Sequence, residues 1–156
     1  MPRFILLIRA SQQTESKVAS PETFKDIATF NEEMSAAGVL LGGEGLRPTA
    51  SDSYRIRYSA ESAADVTKGP FDVEGDSHVS GWWILKTKDA EEALSWAKKI
   101  PFKDGEVMMR RISEMEDFGD IDMPEDLKER ERKLREEVDK NAKRVHGELN
   151  RRPYRL

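Results

Sequence analysis

The chain has 156 residues, a formal charge of −4 and no cysteine. That length points to one principal domain, large enough to bury a core without covalent staples. Disulfide and thiolate chemistry are excluded. No stretch approaches the roughly 20 apolar residues of a membrane span, and the mild acidity gives no reason to expect nucleic acid. The apolar run from Met1 to Ile8 is too short for a signal peptide, and the polar stretch from Ser11 to Ser20 offers no small-residue cleavage site. A cytoplasmic protein is the expectation.

Residues 124–156 hold 11 Lys/Arg and 8 Asp/Glu, so the charge of −4 divides into +3 there and −7 in residues 1–123. The hydrophobic composition changes at the same place. The expected organisation is a core domain over 1–118, followed in 119–156 by the end of an acidic connector and a charged helix.

In chain order, residues 3–9 (RFILLIR) read as a strand, apolar on both faces: Phe4, Leu6 and Ile8 on one, Ile5 and Leu7 on the other. Ser20 offers a helix N-cap, Pro21 suits the first helical position and Glu22 the first turn. Phe24, Ile27, Phe30, Asn31, Met34 and Ala37 then recur at helical spacing, and Gly38 is a natural stop. A second strand is expected at Val39–Gly42 and a third at Tyr54–Tyr58, where Arg55 and Arg57 share a face. Thr67–Phe71 reads as a turn and Asp72–Ser77 as a loop. Val79–Thr87 is again apolar on both faces, with Trp83 and Leu85 opposed to Trp82 and Ile84. Asp89 and Glu92 form a capping pair. The second helix they open has Ala93, Leu94, Ala97 and Ile100 as its expected buried stripe, and Glu106–Ile112 closes the core as a strand. The order β-α-β-β-α-β predicts an α+β, ferredoxin-like split βαβ sheet with both helices on one face. Two strands apolar on both sides then ask for cover on the other face, and a face-to-face homodimer supplies it.

Three stretches in this order, GVLLGGEGL (38–46), KGPF (68–71) and SGWWIL (80–85), resemble the YCII-related superfamily and, within it, the branch named for a DGPF tetrapeptide. Here Lys68 stands in place of the Asp of that motif. The likeness covers residues 1 to about 113 and implies a dimeric α/β barrel with a small-molecule cleft and no cofactor. Better-studied members of the superfamily are thought to use a His and an Asp on the first helix. The corresponding positions here fall near Ile27 and Ala36, which cannot move a proton. Some members of the branch are encoded beside, or fused to, alternative sigma factors, so a regulatory or interaction module is the alternative function.

Glu44 and His78 are the candidate catalytic residues. Glu44 stands between two glycines that allow close approach of a ligand; the plain alternative is a turn acid that caps or pairs with Arg47. His78 is the one histidine of the core domain and titrates near neutrality when unperturbed; otherwise it is a surface-loop histidine. Asp72 and Asp76 could orient it. Arg55, Arg57 and Trp82 are the candidate ligand-binding residues. The arginines suit an anion or a solvated face; Trp82 and Trp83 suit the floor of an aromatic cavity, or one in the core and one at a dimer interface. A lone histidine provides no metal site, and neither metal nor cofactor is expected. KGPF lacks the spacing and following helix of a phosphate loop.

Beyond the core, Leu127, Leu134, Val138, Ala142, Val145 and Leu149 trace one stripe of a helix expected over Pro124–Gly147. Acid-first i,i+4 pairs, Asp126–Arg130, Glu129–Lys133, Glu131–Arg135, Glu136–Lys140 and Asp139–Lys143, surround that stripe and favour helix in water. It is expected to rest on a core domain, because isolated helices are marginal.

Overall fold

The computed structural model describes residues 1–16, 20–60, 64–75, 78–119 and 124–149. It is a mixed α+β structure that divides into two units, Met1–Ile112 and Ser113–Leu156. The sequence boundary at 118 falls inside the second unit, at the end of a 3-10 turn over Met115–Phe118.

Four strands build the antiparallel sheet of the first unit: β1 (Arg3–Arg9), β2 (Leu40–Gly45), β5 (Val79–Lys86) and β6 (Val107–Arg111), in the order β2-β5-β1-β6. Helix α2 (Pro21–Ala36) joins β1 to β2, and α3 (Ala90–Ala97) joins β5 to β6. The caps fall where the sequence puts them. Thr23 N–H donates to Ser20 Oγ at 3.2 Å, and Glu92 N–H to Asp89 Oδ1 at 2.8 Å. Helix α2 ends just before Gly38, which sits at φ 71°.

The register sorts the side chains onto two faces. Leu6 lies opposite Trp83 and Met109, and Phe4 opposite Leu85. On this face Leu6, Trp83 and Leu85 pack with Phe30 and Met34 of α2 and with Val39 to form the core, and Trp96, Phe102, Val107 and Met109 border it. The Phe30 and Trp83 rings meet edge to face at 5.8 Å, and the Trp83 indole N–H donates to Asn31 Oδ1 at 2.9 Å. Gly43 makes this packing possible: a Cβ there would lie 2.3 Å from Trp83 Cδ1.

On the opposite face Leu7 lies between Trp82 and Met108, and Ile5 between Ile84 and Arg110. Ile5, Leu7, Trp82 and Ile84 are half-buried, and Met108 is 52% exposed. The two-sided apolar character of β1 and β5 is therefore real, and only one side of it is used by α2 and α3.

Several expectations are corrected. The second strand runs to Gly45, not Gly42, so Glu44 is inside it rather than after it. Leu40 pairs with Leu85 and Gly42 with Ile84, leaving Leu41 as a bulge residue, 53% exposed. Tyr54–Arg57 (β3) does not join the main sheet. It pairs with Asp65–Lys68 (β4) in a separate two-stranded ribbon, so Thr67 and Lys68 belong to a strand and not to a turn. That ribbon carries exposed Tyr54, Ile56 and Val66. Phe24 is 70% exposed, because the helical stripe narrows to Ile27, Phe30 and Met34 at the sheet. In α3 the stripe is Ala93, Trp96 and Ala97; Leu94 is exposed and Ile100 lies past the helix end. Finally, the polar segment after β1 forms a short helix, α1 (Gln12–Ser16), opened by reciprocal Ser11–Thr14 bonds of 2.8 and 3.3 Å.

In the second unit α4 spans Glu125–Leu149. Of the five expected pairs, Glu129–Lys133 and Glu131–Arg135 form at 3.3 and 2.9 Å. Arg132 adds Glu129 at i−3 and Glu136 at i+4, so Glu136 pairs back to Arg132 in a base-first contact that the expected acid-first i,i+4 pattern does not anticipate. These pairs hold the Glu129 carboxyl down at about 2. Leu127, Leu134 and Val138 are each about half exposed, at 45%, 54% and 54%. Among the described residues no helix is long and apolar enough to cross a membrane.

Candidate functional site

His78 immediately precedes β5, and its carbonyl accepts the Ala10 N–H at 2.9 Å, fixing it beside the end of β1. Its imidazole turns toward α1, where Nε2 lies 3.2 Å from Glu15 Oε1. Both side chains are nearly buried, 12% and 13% exposed. The other Glu15 oxygen accepts two bonds from Thr49, the N–H at 2.8 Å and the hydroxyl at 2.5 Å. The Thr49 oxygen accepts in turn the Phe71 N–H at 3.0 Å. The Phe71 ring meets the His78 ring edge on at 6.0 Å, and the Arg55 guanidinium lies 4.4 Å above Phe71.

Burial works to push the Glu15 carboxyl up, but the Thr49 hydroxyl and N–H, with the His78 imidazole, outweigh it and hold the group below its ordinary 4.5. A carboxylate bonded to one ring nitrogen fixes the ring's orientation and leaves the other nitrogen for a second partner, the arrangement a proton-moving imidazole requires.

The segment Gly69–Phe71, just after β4, closes the cluster. Gly69 N–H donates to Ser53 O at 2.9 Å, and the Gly69–Pro70 peptide is cis. A Cβ at Gly69 would stand 2.0 Å from the Thr49 carbonyl oxygen, a backbone atom that cannot swing aside. Gly69→Ala is expected to cost about 2 kcal/mol of stability by overpacking. A urea titration checks this; an unchanged midpoint would show that the Thr49 loop yields.

The sequence candidates do not share one place. His78 and Arg55 belong to the cluster through Phe71. Arg57 points along the same ribbon face as Arg55 and lies 4.0 Å from Asp65. Glu44 is exposed and pairs in register with Trp82 on the open sheet face. Asp72 does not serve as the orienting acid: its carboxylate accepts from Glu74 and Gly75 N–H at 3.3 and 2.9 Å, capping its own loop. Asp76 lies outside the described residues. Glu15 and Thr49 are absent from the sequence reading. The Ser11-x-x-Thr14 spacing could have announced the short helix that carries Glu15, but nothing local announces a partner 63 residues away. Among the described residues no group of three or more His, Cys, Asp or Glu could hold a metal ion.

No protein-family model matches the chain, and no curated protein matches it.

Proposed function

We propose that the chain is a YCII-related protein of the DGPF type: a ferredoxin-like sheet that meets a second copy face to face in a dimeric α/β barrel and binds a small molecule in a cleft at the strand ends, with His78 as the group that moves a proton and no cofactor. The order β2-β5-β1-β6, antiparallel throughout, with α2 and α3 as its crossovers, supports the ferredoxin-like arrangement. The half-buried apolar face of Ile5, Leu7, Trp82 and Ile84 supports the dimer. The observation that carries the functional reading is the 3.2 Å contact between His78 Nε2 and Glu15 Oε1, beside the aromatic face of Phe71 and the cation of Arg55. Arg55 and Arg57, on one face of the ribbon, fit an anionic ligand, and the Phe71 ring fits an aromatic part of it.

NMR titration with a panel of aromatic carboxylates tests this. At least one is expected to shift the His78 and Phe71 ring signals, and His78→Gln should weaken it about tenfold, the scale of one hydrogen bond to a charged ligand group. A panel that leaves both signals in place removes the anionic-ligand reading.

A second reading, a regulatory or interaction module, is favoured by α4, whose apolar residues Leu127, Leu134 and Val138 stand half exposed between ion pairs.

A further inference from the structure

The open face of the four-stranded sheet carries charge at its two edges, and those charges select how a second copy can lie on it. Glu44 sits on edge strand β2, opposite Trp82, in the row Glu44–Trp82–Leu7–Met108. Arg110 sits on the other edge strand, β6, opposite Ile5, in the adjacent row Gly42–Ile84–Ile5–Arg110. Both are exposed, and the side chains between them are apolar. The other charges of this face lie at the strand ends. Arg3 and Lys86 pair in register at one end, and Arg9 is bonded to Glu106 at the other, 3.1 Å away.

A face-to-face dimer places its two-fold axis between the sheets, either along the strands or across them. An axis across the strands lays β2 over β2 and β6 over β6. Glu44 then approaches Glu44 and Arg110 approaches Arg110 along the edges of an apolar interface, where like charges are costly. An axis along the strands lays β2 of each copy over β6 of the other and brings each Glu44 toward an Arg110. At the strand ends the axis along the strands sets Arg3 and Lys86 of one copy near those of the other, and the axis across them sets that end near the Arg9–Glu106 pair, but those ends open to water, where screening weakens the difference. The edges therefore decide.

We infer that this face binds a second copy of the chain with the two-fold axis along the strands, so that Glu44 on β2 of each chain meets Arg110 on β6 of the other and the two pairs close the sides of the apolar interface. The inference rests on the dimeric reading above and adds its orientation. It assigns Glu44 to the assembly, leaving His78 as the proton-transfer group.

Sedimentation of the full chain at low salt tests it. The wild type is expected to be a dimer. Glu44→Arg and Arg110→Glu should each weaken it about tenfold or more, and the double exchange E44R/R110E should restore it, because the attraction is recovered with reversed sign. Glu44→Gln discriminates further: it loosens the dimer under this axis and tightens it under the other. Both positions are exposed, so the variants should keep the wild-type circular dichroism spectrum; where E44R does not, R110E and E44Q remain decisive. A dimer indifferent to these changes, or tightened by E44Q, overturns the orientation and leaves the dimer standing. A wild type monomeric at high micromolar concentration, as when the chain's own α4 covers the face, overturns both.

Discussion

Trp83→Ala is expected to cost the Met1–Ile112 unit about 3–5 kcal/mol, whereas Trp82→Ala, one residue earlier on the same strand, should cost it about 1 kcal/mol or less. Trp83 is 4% exposed and is wedged between Phe30, Phe102 and the backbone of Gly43. Its removal empties a large volume that neither the sheet nor α2 can collapse into, and it leaves Asn31 without the indole donor. Trp82 is half-buried on the open face, so its loss removes less packing from the single chain and acts instead on the proposed association. Urea unfolding measured at concentrations where the proposed dimer is dissociated separates the two. Equal losses would mean that the open face is packed within the chain itself, and the case for a second copy would fail with it.

This pair of tryptophans also marks what was legible in advance. Alternation along RFILLIR and SGWWIL gave both faces of β1 and β5, and capping chemistry placed the starts of α2 and α3. The sequence was a weaker guide wherever the deciding partner is remote. Phe24 and Leu94 satisfy a helical period, yet they point past the edge of the sheet, because period alone does not say how wide the covered stripe is. DVTK has little apolar alternation and is exposed along its whole length, so its pairing with β3 carries no hydrophobic imprint. Glu44 looked like a loop acid because two glycines flank it; the strand continues through them, since Gly43 is where Trp83 lies. At the candidate site His78 was visible as an isolated titratable group. Its true neighbour, Glu15, lies in a polar stretch with no period, and Thr49 looks like an ordinary loop residue until the Thr67–Phe71 segment folds against it.

Removing Glu15 should expose how much that cluster holds together. Glu15→Ala leaves the His78 imidazole, the Thr49 N–H and the Thr49 hydroxyl without their shared acceptor in a nearly dry place, a loss expected to cost about 3 kcal/mol. Glu15→Gln keeps an acceptor oxygen but not the charge, and should cost about 1 kcal/mol. The pH dependence identifies the cause. The folded protein holds the Glu15 carboxyl below its ordinary 4.5, so at neutral pH the unfolded and folded chains both have it ionised and its contribution is fully present. As the pH drops beneath 4.5 the unfolded chain takes up the proton first, and the advantage shrinks until the folded carboxyl is protonated too. The stability gap between wild type and Glu15→Gln should therefore be flat above about pH 5.5 and narrow steadily in acid, in urea titrations repeated across that range. A gap that keeps its full size down to the lowest pH at which the chain folds would show that the bonds to Thr49 act through shape alone. Glu15 would then be a structural peg, and His78 would lose the carboxylate partner on which its proposed role in proton transfer depends.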